Sequence, residues 1–370
     1  MRCWLCCAAA VLFLLSCAKS ETPSPDVTQA NALAVEAPSA ASRPEPVVTQ
    51  DPFADDYASI RAQIARWDGD VERLREPRER LMGILAKDRT YAPAYVALSR
   101  VEYSSGFQKD GTYEPAALDR AEKFVNHALK LDASNFDAHC TAATIARLRG
   151  DYDIAEESLR RAEELKPDDA AAKVLRASLA AEQNEMLAAV RLAKEVIAGT
   201  QDGDLRAEAY EILIQAYVEG SHLEEADAAF REVLKLRPDS AWVHSTYAWL
   251  LLNRDDIDGA VRESEAAAAI RKYPFGTAVL ARSYLAKGQQ LWDANRIGES
   301  AAFVAKVANL SDDDAEVSFA LGKFYEGAAV RSRDASMRQK ALEAYRRVLK
   351  INPRHMEAER AVARLERRTG

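Results

Sequence analysis

The sequence predicts an all-α protein in which antiparallel helix pairs stack into a solenoid, and three observations lead to this prediction. Alanine, leucine, glutamate, arginine and lysine, which favour helices, dominate the chain from Tyr57 onward. Runs of valine, isoleucine and threonine bounded by turn residues are rare there, so strands are not expected. Small residues recur at a constant interval whose length is typical of helix-pair repeats.

Residues 1–16 have the features of an export signal. Arg2 supplies a positive charge, and the apolar run at residues 8–15 is too short to span a bilayer. The run ends in Leu14-Leu15-Ser16-Cys17, which resembles the lipobox of bacterial lipoproteins. The resemblance implies cleavage before Cys17 and lipidation of its sulfur, which would anchor the chain in a membrane. The alternative is an ordinary secretory signal with an incidental cysteine.

The residues after Cys17 predict a location and a tether. Ala18 stands where aspartate would, by the enterobacterial sorting rule, retain a lipoprotein on the inner membrane. We therefore expect an exported lipoprotein on the periplasmic face of the outer membrane, with the inner membrane or secretion as alternatives. Residues 17–55 are rich in proline, alanine, serine and threonine, so we expect a disordered linker.

Charge and cysteine content exclude several classes of function. The formal net charge is -8, whereas binding nucleic acid requires a concentrated basic face, so no nucleic-acid partner is expected. Loss of residues 1–16 would leave Cys17 and Cys140, which allows no internal disulfide once Cys17 is lipidated. Because Cys140 lies in a helical pattern among alanines and threonines, we expect a buried and unreactive thiol.

The small residues of the repeat follow a regular series. Ala121, Ala155 and Ala189 follow one another at equal intervals, and the same interval separates Ala226 from Ala260. Small side chains at such positions let two helices cross closely. Prolines that end the second helix of a unit stand at Pro167, Pro238 and Pro353.

Residues 56–353 resemble tetratricopeptide repeats on these motifs. The unit at residues 207–240 matches the family pattern with Tyr210, Leu213, Tyr217, Gly220, Ala226, Phe230, Leu236 and Pro238. The resemblance implies a right-handed superhelical solenoid of seven to eight units. Residues 354–370 then form a C-terminal capping helix, in which we expect Met356, Val362 and Leu365 to face inward.

Several units depart from the pattern. Extra residues at 107–114 and 328–336 predict insertions between the helices of two units. The unit from residue 170 has Lys173 and Arg176 where large apolar residues are expected, and Pro77 falls inside the second helix of the first unit.

In this family the first helices of successive units line a concave groove that binds protein or peptide partners. Two tryptophans, Trp242 and Trp249, are two helical turns apart on one face and would suit recognition of a peptide. The alternative is that such rings pack against neighbouring helices. Mapped onto this sequence, the candidate groove residues are Tyr103, Arg147, Trp242, Trp249, Arg282, Trp292, Phe319 and Lys323.

Motifs for catalysis, cofactors and metals are not found in the sequence, so we expect a protein that is not an enzyme and has no cofactor or metal. The run Asp312, Asp313 and Asp314 falls between two units, where helix N-caps belong, and capping is favoured over calcium binding. A glycan hydrolase that uses Glu208, Glu211 or Glu219 is a minor alternative.

Together these features favour a membrane-tethered periplasmic scaffold for protein–protein interaction. Its partners would be proteins or peptides of a cell-envelope machine for pilus assembly or secretion, for polysaccharide export, or for docking of a cell-wall hydrolase. The alternative from another class is a receptor that binds glycans or peptides. The identity of the partner and the oligomeric state do not follow from the sequence.

Overall fold

The computed structural model describes residues 51–67, 69–108, 112–310 and 314–367. Within these ranges every regular element is a helix, and a single antiparallel bridge joins Phe107 and Tyr113. A short 3-10 helix at Val71–Leu74 precedes the second α-helix. The seventeen α-helices are α1 (Ala54–Ala65), α2 (Arg75–Lys87), α3 (Ala92–Ser105), α4 (Pro115–Leu131), α5 (Phe136–Arg149), α6 (Tyr152–Leu165), α7 (Ala170–Glu182), α8 (Met186–Gly199), α9 (Gly203–Glu219), α10 (Leu223–Leu236), α11 (Ala241–Asn253), α12 (Ile257–Ile270), α13 (Pro274–Asp293), α14 (Ile297–Ala308), α15 (Ala315–Ser332), α16 (Ala335–Ile351) and α17 (Met356–Arg367).

The helices form eight antiparallel pairs, α1/α2 through α15/α16, and α17 packs on the last pair. Each helix packs mainly against its neighbours in sequence, so the buried residues form a succession of local clusters along the chain. This arrangement confirms the predicted all-α solenoid. The first helix begins at Ala54, inside the stretch predicted to be linker. No helix in the described part of the chain is long and apolar enough to span a bilayer.

The recurring small residues lie where paired helices cross. They have at most 1% of their surface exposed and are Ala121, Ala155, Ala189, Ala226, Ala260, Ser300 and Ala341. A larger side chain at such a position would push the two backbones apart. The periodic pattern in the sequence is therefore the pattern of helix crossings.

Several helices begin with a side chain that accepts hydrogen bonds from the first backbone N–H groups. Asp314 accepts from Glu316 N at 2.9 Å and from Val317 N at 3.0 Å, which confirms the predicted cap. Asp312 and Asp313 lie outside the described residues. Other N-caps of this kind are Asn135, Asp169, Asp202, Ser240, Asp256 and Asp334.

The two predicted insertions fold differently. Between α3 and α4, the described residues pair across positions 109–111: Gln108 N donates to Thr112 O at 2.9 Å, and Glu114 N donates to Gly106 O at 2.8 Å. The insertion at 328–336 instead lengthens its two helices, because α15 runs to Ser332 and α16 starts at Ala335. Good helix formers on both sides of this short break favour the longer helices.

The departures from the family pattern are accommodated locally. Pro77 is the third residue of α2, in the first turn, where its missing N–H costs no helical hydrogen bond. Lys173 Nζ lies 2.9 Å from Asp168 Oδ1, and Arg176 forms ion pairs with Glu163 and Glu156 of α6. The weak unit therefore folds as a regular pair held in part by ion pairs.

The capping helix α17 differs from its prediction in register. Leu365 is buried as expected, whereas Met356 is 65% exposed because it is the first residue of the helix and precedes the packed face. Ala358 and Ala361 are buried instead, at the spacing that places them on one face with Leu365.

A buried carboxylate ties the first two pairs together. Glu102 on α3 has 4% of its side chain exposed, and it accepts hydrogen bonds from Arg78 Nε on α2 at 3.0 Å and from Arg120 Nε on α4 at 2.7 Å. Two charge-assisted hydrogen bonds compensate for burying this charge.

Candidate partner-binding groove

The first helices of the pairs line the inner face of the superhelix, and its curvature brings distant residues near each other. Arg61 on α1 lies 3.8 Å from Asp137 on α5, two pairs further along. A Cβ built on Gly69 would lie 3.6 Å from the guanidinium of Arg271, at the end of α12. The inner face is therefore a narrow groove.

Charged residues dominate the N-terminal part of this groove. Arg100 Nε donates to Thr141 Oγ1 at 3.3 Å. Arg147 forms an ion pair with Glu182 in which the two side chains are 17% and 16% exposed. The candidate residue Arg147 is thus engaged by a neighbouring helix. Candidate Tyr103 is half-buried, with its ring centroid 6.4 Å from that of Tyr113.

Charges act across the groove as well as along it. Burial raises the pKa of Tyr103, Arg100 and Arg147 lower it, and Glu208 on α9 raises it further. Tyr103 lies on α3 and Glu208 on α9, three pairs further along the chain.

The inner face of α9 carries a stripe of carboxylates at Asp204, Glu208 and Glu211, whose spacing places them on one side of the helix. Arg237, just after α10, reaches back to this stripe. Its Nη1 donates to Glu211 Oε1 at 2.9 Å, and its Nη2 lies 3.9 Å from Glu208 Oε1. Glu211 is therefore held more directly than Glu208.

Burial between the groove walls raises the pKa of Glu208 to about 7, although 46% of its side chain remains exposed to water. The Glu211 carboxylate adds to this rise, and Arg237 and Arg100 oppose it. Glu208 is consequently a carboxyl group that loses its proton near neutral pH.

Aromatic side chains dominate the C-terminal part of the groove, and most of them pack on other rings. The Trp242 ring lies 5.2 Å from Phe275 and 6.3 Å from Tyr273, measured between centroids. Trp292 meets Phe324 edge-on at 6.2 Å. These contacts favour the packing interpretation for both tryptophans, although each keeps part of its surface exposed.

The last two candidates form a contact with the C-terminal end. Phe319 on α15 lies 4.7 Å from the ring of His355 and 5.6 Å from that of Tyr345. Lys323 is exposed, and its Nζ lies 5.8 Å from the centre of the Phe319 ring. Phe319 thus packs against the start of the capping segment and presents only part of its ring.

Trp249 is half-buried on α11, two turns after Trp242, and its backbone carbonyl accepts a hydrogen bond from Asn253 Nδ2 at 2.9 Å. Arg282 is half-buried on α13. The sequence reasoning missed the roles of Glu182, Arg237 and Phe275. The sequence did contain a signal for Phe275, because this residue directly follows Pro274, the proline that starts α13.

The two cysteines singled out in the sequence have different outcomes. Cys140 has 7% of its surface exposed, and burial raises the pKa of its thiol to about 12. This confirms the prediction of a buried thiol with little reactive thiolate. Cys17 lies outside the described residues.

A model of the tetratricopeptide repeat family matches residues 140–204 and 213–277. Comparison with curated proteins finds no match. Among solved structures, the chain is similar to the APC/C hetero-tetramer Cut9–Hcn1, with 13% identity, 85% of this chain and 57% of that chain covered, and a TM-score of 0.54.

Two further structures are similar. The human IFIT1 dimer with PPP-AAAA is 14% identical, with 81% of this chain and 69% of that chain covered and a TM-score of 0.52. Pseudomonas aeruginosa pilF is 20% identical, with 63% and 96% covered and a TM-score of 0.46. At these identities the likeness to Cut9–Hcn1 and to IFIT1 concerns the fold alone.

Proposed function

Because residues 140–204 and 213–277 match the tetratricopeptide repeat family, whose members bind protein or peptide partners, we propose that the chain is a membrane-tethered adaptor that holds a cell-envelope protein in its groove. The observation that carries the proposal is the groove itself. Consecutive first helices present charged side chains, from Arg100 to Glu211, and then aromatic ones, from Trp242 to Phe319, along one inner face.

The groove offers the kind of contacts that dominate protein interfaces. Half-buried indoles provide a large contact area at a small cost in conformational entropy, and truncating such an anchor typically weakens binding by about 2 kcal/mol or more. Trp249 is the candidate that best fits this role, since Trp242 and Trp292 are already packed against other rings.

The tether is supported by the sequence at the N-terminus. The lipobox-like Leu14-Leu15-Ser16-Cys17 and the proline-rich residues 17–55 fit a lipid anchor followed by a linker. The several acyl chains of a bacterial lipoprotein would make the anchoring stable. An adaptor in this location would serve pilus assembly or secretion, polysaccharide export, or docking of a cell-wall hydrolase at the outer membrane.

We infer that the groove binds and does not catalyse. Glu211 is held by Arg237 at 2.9 Å, and Glu182 is paired with Arg147. Glu211 and Glu182 are occupied in this way and are poorly placed to act in glycan hydrolysis.

Affinity capture from detergent-solubilised envelopes tests the adaptor. The wild-type chain should retain a defined envelope protein, and Trp249→Ala should weaken that retention by about 30-fold, as expected for loss of an anchor worth about 2 kcal/mol. Leu187→Ala is the matched control, because Leu187 is 90% exposed on α8, a second helix outside the groove. Recovery of no envelope protein, or equal loss with both variants, would refute the adaptor.

Lipidation is tested separately. In cells fed radiolabelled palmitate, the wild-type chain should incorporate label and sediment with outer membranes, whereas Cys17→Ser should do neither. Labelling of the Cys17→Ser chain, or a wild-type chain that stays unlabelled, would reject the lipid anchor while leaving the groove open to the capture experiment.

A further inference from the structure

Building on the function proposed above, we propose that the step between α9 and α11 is a binding site for an extended peptide that carries a cationic side chain close to an apolar one. The cation would meet Glu208 on one wall of this step, and the apolar group would meet Trp249 on the other wall. The proposal thus gives the chemical class of the adaptor's partner: a segment that carries both a basic and an apolar side chain.

The step is wider than its neighbours. Between α3 and α15, the backbones of consecutive first helices pack closely at every step except one. At that step, the backbones of α9 and α11 approach each other less closely. In the deeper part of the step, Tyr210 and Tyr217 of α9 pack against the buried cluster that contains Val243 and Tyr247. Side chains of α9 therefore fill the deeper part of the step, beneath the side that faces the groove.

Equivalent positions in the two units carry complementary chemistry. One repeat length separates Glu208 from Trp242 and likewise Gln215 from Trp249, so each pair occupies the same position of consecutive first helices. Crossing from α9 to α11, a bound segment would meet Glu208 and Trp242 in one row and Gln215 and Trp249 in the next. Because Trp242 already packs on Phe275, the apolar group of the segment would use Trp249, one row beyond Glu208. An indole face also attracts a nearby guanidinium or ammonium group.

Glu208 shares its nearest cation, Arg237, with two other carboxylates. Arg237 comes to 3.9 Å from it and to 3.9 Å from Asp204, while its hydrogen bond of 2.9 Å goes to Glu211. Three carboxylates therefore face one guanidinium here. A cationic side chain from a partner would complement the remaining negative charge.

A second cation reaches this site only at longer range. Arg100 faces the site from α3 and hydrogen-bonds Thr141 at 3.3 Å, with Asp137 4.0 Å from its guanidinium. Its charge is thus shared with groups on α5.

The carboxyl group also provides a pH signature. Its pKa of about 7 reflects burial first, then Glu211 and Asp204 on α9, opposed by Arg237 and Arg100, while Tyr103 faces it from α3. A cation favours the ionised carboxylate, so binding lowers this pKa and releases a proton. Affinity for a cationic ligand should therefore rise as pH increases through about 7.

Two synthetic peptides test the site. One is Ac-Ala-Ala-Arg-Ala-Phe-Ala-Ala-NH2, and in the other uncharged citrulline replaces the arginine. The full-length chain, purified in detergent and labelled with 5-fluorotryptophan, is titrated at pH 8 and at pH 6 while the fluorine resonances are recorded. Trp249→Phe assigns the signal of interest.

We expect the arginine peptide to shift the Trp249 resonance and to bind about fivefold tighter than the citrulline peptide at pH 8, as for a partly exposed ion pair. The preference should shrink at pH 6. Glu208→Gln should remove it, whereas Glu224→Gln, on the exposed surface of α10, should preserve it.

Equal binding of both peptides, or a preference that survives Glu208→Gln, would overturn the assignment of the cation. Absence of any shift up to millimolar concentrations would overturn the site as a whole. In each of these cases the adaptor proposal still stands or falls on capture of the natural partner, so the two failures are distinguishable.

Discussion

Gly322 on α15 offers a direct test of why small residues recur along the chain. A Cβ at this position would lie 2.7 Å from Cε1 and 2.8 Å from Cδ1 of Tyr345 on the paired helix α16. Tyr345 is 1% exposed, and its hydroxyl donates to Glu326 Oε2 at 2.9 Å, so the ring cannot move aside cheaply. Overpacking costs about 1 to 3 kcal/mol, and the helix propensity of alanine returns up to about 1 kcal/mol. We expect Gly322→Ala to lower the free energy of unfolding by about 1 to 2 kcal/mol.

Gly327 is a matched control in the same helix, because a Cβ there would meet nothing within 4 Å. Gly327→Ala should stabilise α15 by about 0.5 to 1 kcal/mol through helix propensity alone. Units of a solenoid can unfold partly independently, so urea unfolding should be combined with hydrogen exchange of peptides from α15 and α16. If Gly322→Ala proved as stable as Gly327→Ala, the close-crossing explanation would be refuted.

Three further outcomes are expected. Both ring nitrogens of His244 face acceptors, Glu263 Oε2 at 2.9 Å and a backbone carbonyl at 3.0 Å, and the hydrogen bond to Glu263 raises the histidine pKa. The stability that protonated His244 contributes is fully present below the pKa of the unfolded chain, about 6.5, and is lost as pH rises through the pKa of the folded protein. The melting temperature should therefore fall between pH 6 and pH 9, and His244→Gln should make that fall smaller. Cys140 should resist alkylation at pH 8 in the folded chain and react in urea, as read by mass spectrometry, because burial raises its pKa to about 12; rapid labelling without urea would contradict this. Replacing both arginines that hold Glu102 by alanine should cost about 3 to 5 kcal/mol, more than Glu102→Leu, because an unpaired buried charge is left behind; the reverse order in urea unfolding would contradict this.

The solenoid was predictable because its cause is local and repeated. Each small residue such as Ala155 or Ala226 satisfies the same requirement at the same position of a helix pair, so its regular recurrence along the sequence reveals the repeat. Helix ends were predictable for a similar reason, since Asp314 caps the helix that directly follows it.

The groove was less predictable, because its side chains are fixed by contacts between units. Trp242 and Phe275 belong to successive units, and only the superhelix brings their rings to 5.2 Å. Arg147 pairs with Glu182 of the next unit for the same reason. The insertion at 328–336 could not be predicted in detail either, because extra residues in a repeat can form a loop or lengthen a helix without changing the repeat pattern around them.

The central claim is that a partner is held on the inner face of the superhelix, and site-specific photocrosslinking in living cells tests it most directly. Benzoylphenylalanine replaces either Trp249, on the groove side of α11, or Ile154, which is 59% exposed on the second helix α6. We expect ultraviolet light to trap one envelope protein from position 249 and to leave position 154 without that adduct. The same adduct in equal yield from both positions, or from position 154 alone, would contradict the account.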